Sequence, residues 1–131
     1  MKIKTSELIG AALDWAVAQA IGTKPVYNWR AFGMKHYGAW ETAPAVGSAV
    51  MLQPYSTDWA HGRPLLNRHK ISRTINHSGL WIAYAGYNIN YEPRHVQCDR
   101  SELVAGLRCL VALNLGDEVE IPKELLGELW Q

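Results

Sequence analysis

No stretch of this chain reaches 18 consecutive apolar residues, so a helix that crosses a bilayer is not expected. Its start, Met1-Lys2-Ile3-Lys4-Thr5-Ser6-Glu7, lacks the apolar segment and small-residue cleavage site of an export signal, which predicts a cytoplasmic protein. Cysteine is scarce: Cys98 and Cys109 are the only two, and the second falls inside a predicted helix. A disulfide framework is therefore excluded and two reduced thiols are expected. The glycines form neither a phosphate-binding Walker loop nor a dinucleotide fingerprint, and no Gly-x-Ser-x-Gly elbow is present. His36, His61, His69, His77 and His95 show no metal-ligand spacing, and Cys-x-x-Cys is missing. No catalytic residue, metal or cofactor is expected.

What is present is enough for one core. A length of 131 residues and a hydrophobic content of 48% predict a single domain over 1–131. The net charge of +1 is unevenly spread. Residues 61–100 hold Arg63, Arg68, Lys70, Arg73, Arg94 and Arg100 against Glu92 and Asp99, a net of +4, while residues 101–131 carry −4. Nucleic acid is not the expected partner, because such domains have a larger basic excess and a recognisable reading element. The bases between Arg63 and Arg73 are accounted for by a solvated strand edge that discourages sheet-to-sheet aggregation.

Thr5 is placed to cap a helix over residues 6–20 with Leu8, Leu13 and Trp15 facing the core, and Gly22 stops it. From Lys24 to Gly47 no period holds, but Tyr27, Trp29, Phe32, Tyr37 and Trp40 predict an irregular or short-strand region packed through its rings. Val46–Leu52, Leu65–Leu66, Ile71–Ile75 and Leu80–Tyr84 read as short strands. Asp99-Arg100-Ser101-Glu102 reads as a helix start with Asp99 as cap, followed by the core positions Leu103, Leu107 and Leu110 up to Gly116. Pro122 opens a last short helix through Leu129. The expected fold is α+β: a small antiparallel sheet packed against an N-terminal helix and a C-terminal helix pair.

The segment Pro54-Tyr55-Ser56-Thr57-Asp58-Trp59-Ala60-His61-Gly62-Arg63-Pro64 carries the densest chemistry. Gly62 and Pro64 predict a turn rather than a helix, with hydroxyls, a carboxylate and two rings presented from a loop. Tyr55, Ser56, Thr57, Asp58, Trp59 and Arg63 are candidate ligand-binding residues: Asp58 as an acceptor and Trp59 as a stacking face. The plain alternative is a hydroxyl turn fastening two strands, with Trp59 in the core. Trp81 joins the candidates because it and Trp59 could sandwich a planar ligand, although most rings near it suit a core. Arg108 sits at the margin of an apolar stripe, either reaching water or reaching an anion. Asp58 and His61 form a possible acid/base pair with no nucleophile pattern beside them.

A resemblance adds to this. Lys4-Thr5-Ser6-Glu7-Leu8 with Gly10-Ala11-Ala12-Leu13-Asp14-Trp15-Ala16-Val17-Ala18, then Tyr55-Ser56-Thr57-Asp58-Trp59 with Gly62 and Pro64, then Ala105, Arg108-Cys109, Val111-Ala112 and Leu115-Gly116-Asp117-Glu118-Val119-Glu120-Ile121-Pro122 with Leu125-Leu126, are similar to the NinX-like family of small tailed-phage proteins. The resemblance implies a phage accessory protein acting in an infected bacterium and carries over no catalytic residues. Aromatics beside arginines suit flat anionic ligands. The expected function is non-enzymatic sequestration of a nucleotide or a nucleotide-derived defence signal. Two other classes are open: a module docking on a host or phage protein through residues 27–40, and a nucleotide-processing enzyme. A homodimer is also expected from the weight of aromatics, six tryptophans and six tyrosines against one phenylalanine.

Overall fold

The computed structural model describes residues 1–22, 25–28, 39–42, 50–51, 54–122 and 125, with side chains described in 1–22, 54–122 and 125. In chain order the elements are β1 (Lys2–Lys4), α1 (Gly10–Ala20), β2 (Pro25–Asn28), β3 (Ala39–Thr42), β4 (Val50–Met51), α2 (Trp59–Arg68), β5 (Ser72–Ile75), β6 (Trp81–Tyr84), β7 (Gln97–Asp99), α3 (Glu102–Leu115) and β8 (Glu118–Glu120). The fold is α+β, with antiparallel sheets β1-β8, β2-β3-β4 and β5-β6-β7.

α3 is the hub. It packs on α1, on α2 and on the sheet β5-β6-β7, and every residue from Ala105 to Ala112 is buried. A helix that is apolar on all sides has to be surrounded. Leu107, Leu110 and Val111 fill its interior, and Leu8, Leu13 and Val17 meet them from the N-terminal segment. Ser101 caps α3, its Oγ accepting from the Val104 N–H at 3.2 Å. The cap is thus not Asp99, which ends β7 and uses one carboxylate oxygen to accept from the Ser101 N–H. Gly116, at φ +95, terminates the helix as expected.

Three local expectations give way to tertiary contacts. The first helix begins at Gly10, not at residue 6, because Thr5 is engaged elsewhere: its hydroxyl donates to the Gly116 carbonyl at 2.7 Å and its N–H to the Asp117 carbonyl at 2.8 Å. Leu8 is held extended with its carbonyl turned to Arg108. The second correction is that Leu65–Leu66 and the Gly62-Arg63-Pro64 run are helical, all within α2. Pro64 removes one helix bond, to the Ala60 carbonyl, but both residues are exposed, where water can take the orphan acceptor. Gly62 is there for proximity. A Cβ at that position would lie 2.5 Å from Leu103 Cδ1 and 2.6 Å from the Tyr55 carbonyl, and one on Gly106 of α3 would lie 2.7 Å from Leu66 Cδ1. The two glycines let α2 and α3 approach side to side.

The third concerns strands. β5 and β6 lie where short strands are predicted, with Arg73 opposite Ala83 and Ile75 opposite Trp81. β7, and the pair β1 with β8, come from segments with too few residues to show a period. In the latter, Ile3 sits opposite Val119 and both are buried. Of the region 24–47, Tyr27 and Trp40 lie opposite each other in the short strands β2 and β3, while ring packing there lies outside the described side chains. Of Val46–Leu52 only β4 is described, and of the helix expected from Pro122 to Leu129 only Pro122 and Leu125, whose N–H donates to the Pro122 carbonyl.

Candidate functional site

Residues 54–58 form a turn closed by the Asp58 N–H on the Pro54 carbonyl at 3.0 Å. Its first half is fastened inward. The Ser56 N–H donates to Asp14 Oδ1 at 2.7 Å, and both residues are buried. Tyr55 is buried too, and its phenol is held above its ordinary pKa by burial and then by the Asp14 charge. Tyr55 and Ser56 therefore tie the turn to α1, while Thr57 is exposed.

Asp58 is the N-cap of α2. One carboxylate oxygen accepts from the Ala60 N–H at 2.9 Å and the other meets His61 Nδ1 at 2.9 Å. The Ala60 hydrogen bond, followed by the one to His61, lowers the Asp58 pKa. The two residues whose spacing allowed an acid/base pair are hydrogen-bonded, and the carboxylate is a cap.

Trp59 is the first residue of α2 and 43% exposed, so it is not a core residue. Arg63 is one helical turn on, and the i, i+4 spacing puts the two on one face. With Arg73 of β5 and Glu102 of α3 they line an open recess of about 350 Å³. Arg73 is held in place: its Nε donates to Glu102 Oε1 at 3.1 Å and its Nη1 to the Ile71 carbonyl at 3.4 Å. An indole face, two guanidinium groups and one carboxylate meet where the starts of α2 and α3 face β5. Such a set can stack on a planar ring and pair with an anion.

The other candidates are placed elsewhere. Trp81, on β6, is partly buried against the core and does not line this recess. Arg108 neither reaches water nor lines the recess. Its side chain is 7% exposed, its Nε donates to the Leu8 carbonyl at 2.8 Å, and its Nη1 donates to the Cys98 carbonyl and to Asp99 Oδ1, each at 3.1 Å. Burial lowers its pKa, and Asp99 opposes that shift. Cys98 is an exposed free thiol, whereas burial pushes the free thiol of Cys109 up to about 12.

Sequence reasoning missed Arg73 and Glu102 as members of the recess. They lie 29 residues apart and belong to a strand and a helix start, each with a sufficient local explanation. No period or motif links them; only the packing of β5 against α3 does.

A model of the family described as Bacteriophage P22, NinX matches residues 4–114. The chain belongs to this family. Among curated proteins none matches it significantly. In this NinX-family phage protein the match includes α1, α2 and all four residues of the recess, and it stops short of β8. Among the described residues no helix is long and apolar enough to cross a membrane, and no group of three or more His, Cys, Asp or Glu side chains is gathered as a metal site.

Proposed function

We propose that this NinX-family chain binds a small, planar, anionic ligand in the recess between α2, β5 and α3 and retains it unchanged, the ligand being a nucleotide or nucleotide-derived signal of host defence. The observation that carries the reading is the grouping of the exposed Trp59 indole with Arg63 and Arg73 around one cavity. A pocket of this size stands at the small end of ligand sites, near what one base and its sugar phosphate fill. Stacking and charge pairing are what the lining groups offer, and no hydroxyl or thiol nucleophile is among them, which favours retention over conversion. The phage setting supplies the reason to sequester a host molecule.

A thermal-shift screen against nucleotides tests this. A ligand at 100 times its dissociation constant adds about 2.7 kcal/mol to stability. The expected result is a raised melting temperature, recovery of the ligand intact, and loss of the shift in Trp59→Ala at nearly unchanged stability, since stacking is worth about 1 to 3 kcal/mol per base. A converted ligand would make the protein an enzyme, and no shift with any nucleotide would remove the reading.

A second reading rests on a different observation. Residues 85–94 form a hairpin closed by the Ala85 N–H on the Arg94 carbonyl and the Arg94 N–H on the Gly86 carbonyl, with Asn88 Oδ1 accepting from the N–H groups of Asn90 and Glu92. Its tip presents Ile89 at 93% exposure and Tyr91 at 87%, the latter at φ +63. Apolar side chains offered from an internally bonded hairpin favour docking on a protein. This surface takes the place of residues 27–40, whose side chains lie outside those described. Ile89→Ser with Tyr91→Ser separates the two readings, because it leaves nucleotide binding intact and removes protein docking.

A further inference from the structure

The charges of the recess have a definite sum. Arg63 and Arg73 contribute two positive charges and Glu102 one negative, which leaves a single net positive charge on the lining. The acid does not merely share the space. Glu102 Oε1 accepts from Arg73 Nε, so one edge of that guanidinium is already paired, and Nη1 is directed to the Ile71 carbonyl. Among the described residues Nη2 has no hydrogen-bond partner, and it is the end of Arg73 left for an incoming anion. Asp58, one residue before Trp59, does not line the recess; its carboxylate is taken up by the Ala60 N–H and His61. A ligand with three or four negative charges would bring to this wall more charge than it can balance, next to the Glu102 carboxylate. Like charges brought together at such distances cost free energy even in high dielectric.

We infer that the recess selects ligands carrying a single negative charge on a planar ring system, with Arg73 as the fixed anion contact and Glu102 as the residue that turns polyanions away. The inference rests on the recess being the ligand site and sharpens it from anionic ligands in general to monoanions such as phosphodiesters. Arg63 supplies the second cation from the exposed face of α2, and Trp59 supplies the ring contact.

The test is calorimetric titration of the intact protein with four probes that share one base: adenosine, cyclic AMP, ADP and ATP, in that order of increasing negative charge. Cyclic AMP is expected to bind roughly tenfold more tightly than adenosine and more tightly than ADP or ATP, since one unit of charge at a partly exposed contact changes affinity by about that factor at low salt. Glu102→Gln retains an oxygen that can accept from Arg73 and removes the charge, so the ratio of ATP to cyclic AMP affinity should rise by roughly tenfold or more. Arg63→Gln should erase the preference for cyclic AMP over adenosine. The titrations of the parent protein stand alone if either variant melts early.

ATP or ADP binding more tightly than cyclic AMP to the parent would overturn the charge selection while leaving the recess as an anion site. Equal affinities for adenosine and cyclic AMP would overturn it as well, leaving a ring-stacking site. Failure of all four probes to bind would remove the ligand-site reading on which the inference stands.

Discussion

Arg108 within α3 and Arg73 beside its start both meet a carboxylate at 3.1 Å, yet the two regions are built for different ends. Around Arg108 the donors are directed to the carbonyls of Leu8 and Cys98 and to Asp99, and solvent is almost absent. That guanidinium joins the segment before α1, the end of β7 and the middle of α3. Around Arg73 the ion pair occupies the wall of an open recess, with Arg63 and Trp59 facing it. An arginine enclosed among three elements is a strut, while one in the wall of an open recess is available to a ligand. An arginine beside an acid does not by itself distinguish the two; whether its side chain is enclosed or lines an opening does.

The largest effect should come from breaking the closed region. Arg108→Leu removes the charge partner of Asp99 and strands the Leu8 carbonyl; because Asp99 is 31% exposed, the loss should sit at the low end of the buried-pair range, about 3 kcal/mol. Chemical denaturation should show that loss, while nucleotide affinity of the folded fraction stays at the parental value. A parental midpoint would show that Arg108 is not a strut.

Next in size is Gly62→Ala, which pushes a methyl group against Leu103 Cδ1 and the Tyr55 carbonyl. Overpacking costs about 1 to 3 kcal/mol and helix propensity returns about 1 kcal/mol. A net loss of about 2 kcal/mol at most follows from that difference. Because Gly62 lies between Trp59 and Arg63, this variant should also loosen the recess, so stability and ligand affinity fall together. An affinity that survives the loss of stability would show that the recess does not depend on the α2–α3 approach.

Ser101→Ala tests the cap and should lower stability by about 1 kcal/mol with the recess unaltered. Asp99→Ala should be the more damaging of the two, since it takes away both the acceptor for the Ser101 N–H and the partner of Arg108. Equal midpoints for the two variants would contradict that order.

The smallest effect is one of pH. The folded pKa of Asp58 is lowered below 3.8 by the Ala60 N–H and by His61. Its contribution is therefore complete above that ordinary value and is lost as pH falls through the lower folded one. The difference in melting temperature between the parent and Asp58→Asn should be constant at neutral pH and close only in acid, below about pH 4. A difference that changed between pH 6 and 8 would point to another group.

Much of the frame is legible in the chain. The apolar positions Leu103, Leu107 and Leu110 and the stop at Gly116 place α3, and the Leu8, Leu13 and Trp15 stripe places the first core helix near its true position. α2 is illegible because Gly62 and Pro64 oppose a helix locally, and its reasons, the Gly62 contact with Leu103 and the exposed Ala60 carbonyl, belong to packing. Thr5 and Asp99 look like caps for the same kind of reason: each is a good cap by type, and each is bonded to residues far away or to the wrong side of the helix start. Of the candidate site, Trp59 and Arg63 are legible as a pair on one segment. Arg73 and Glu102 are not, because their meeting depends on β5 crossing the start of α3.

The clasp of β1 on β8 joins Lys4 to Glu118 and Lys2 to Glu120, pairings that span more than a hundred residues of chain. Contacts of that span are slow to form because the loop they close must first be shortened by other structure. α1 and α3 meet over nearly as long a span, so the sheet β5-β6-β7 and its packing on α3, closer in sequence, are expected to form before either. Until β8 is in place, β1 is a short strand with unpaired edges. Lys2 and Lys4 flank Ile3 on both sides, and charges so placed along a short unpaired strand keep it from joining another chain in the meantime.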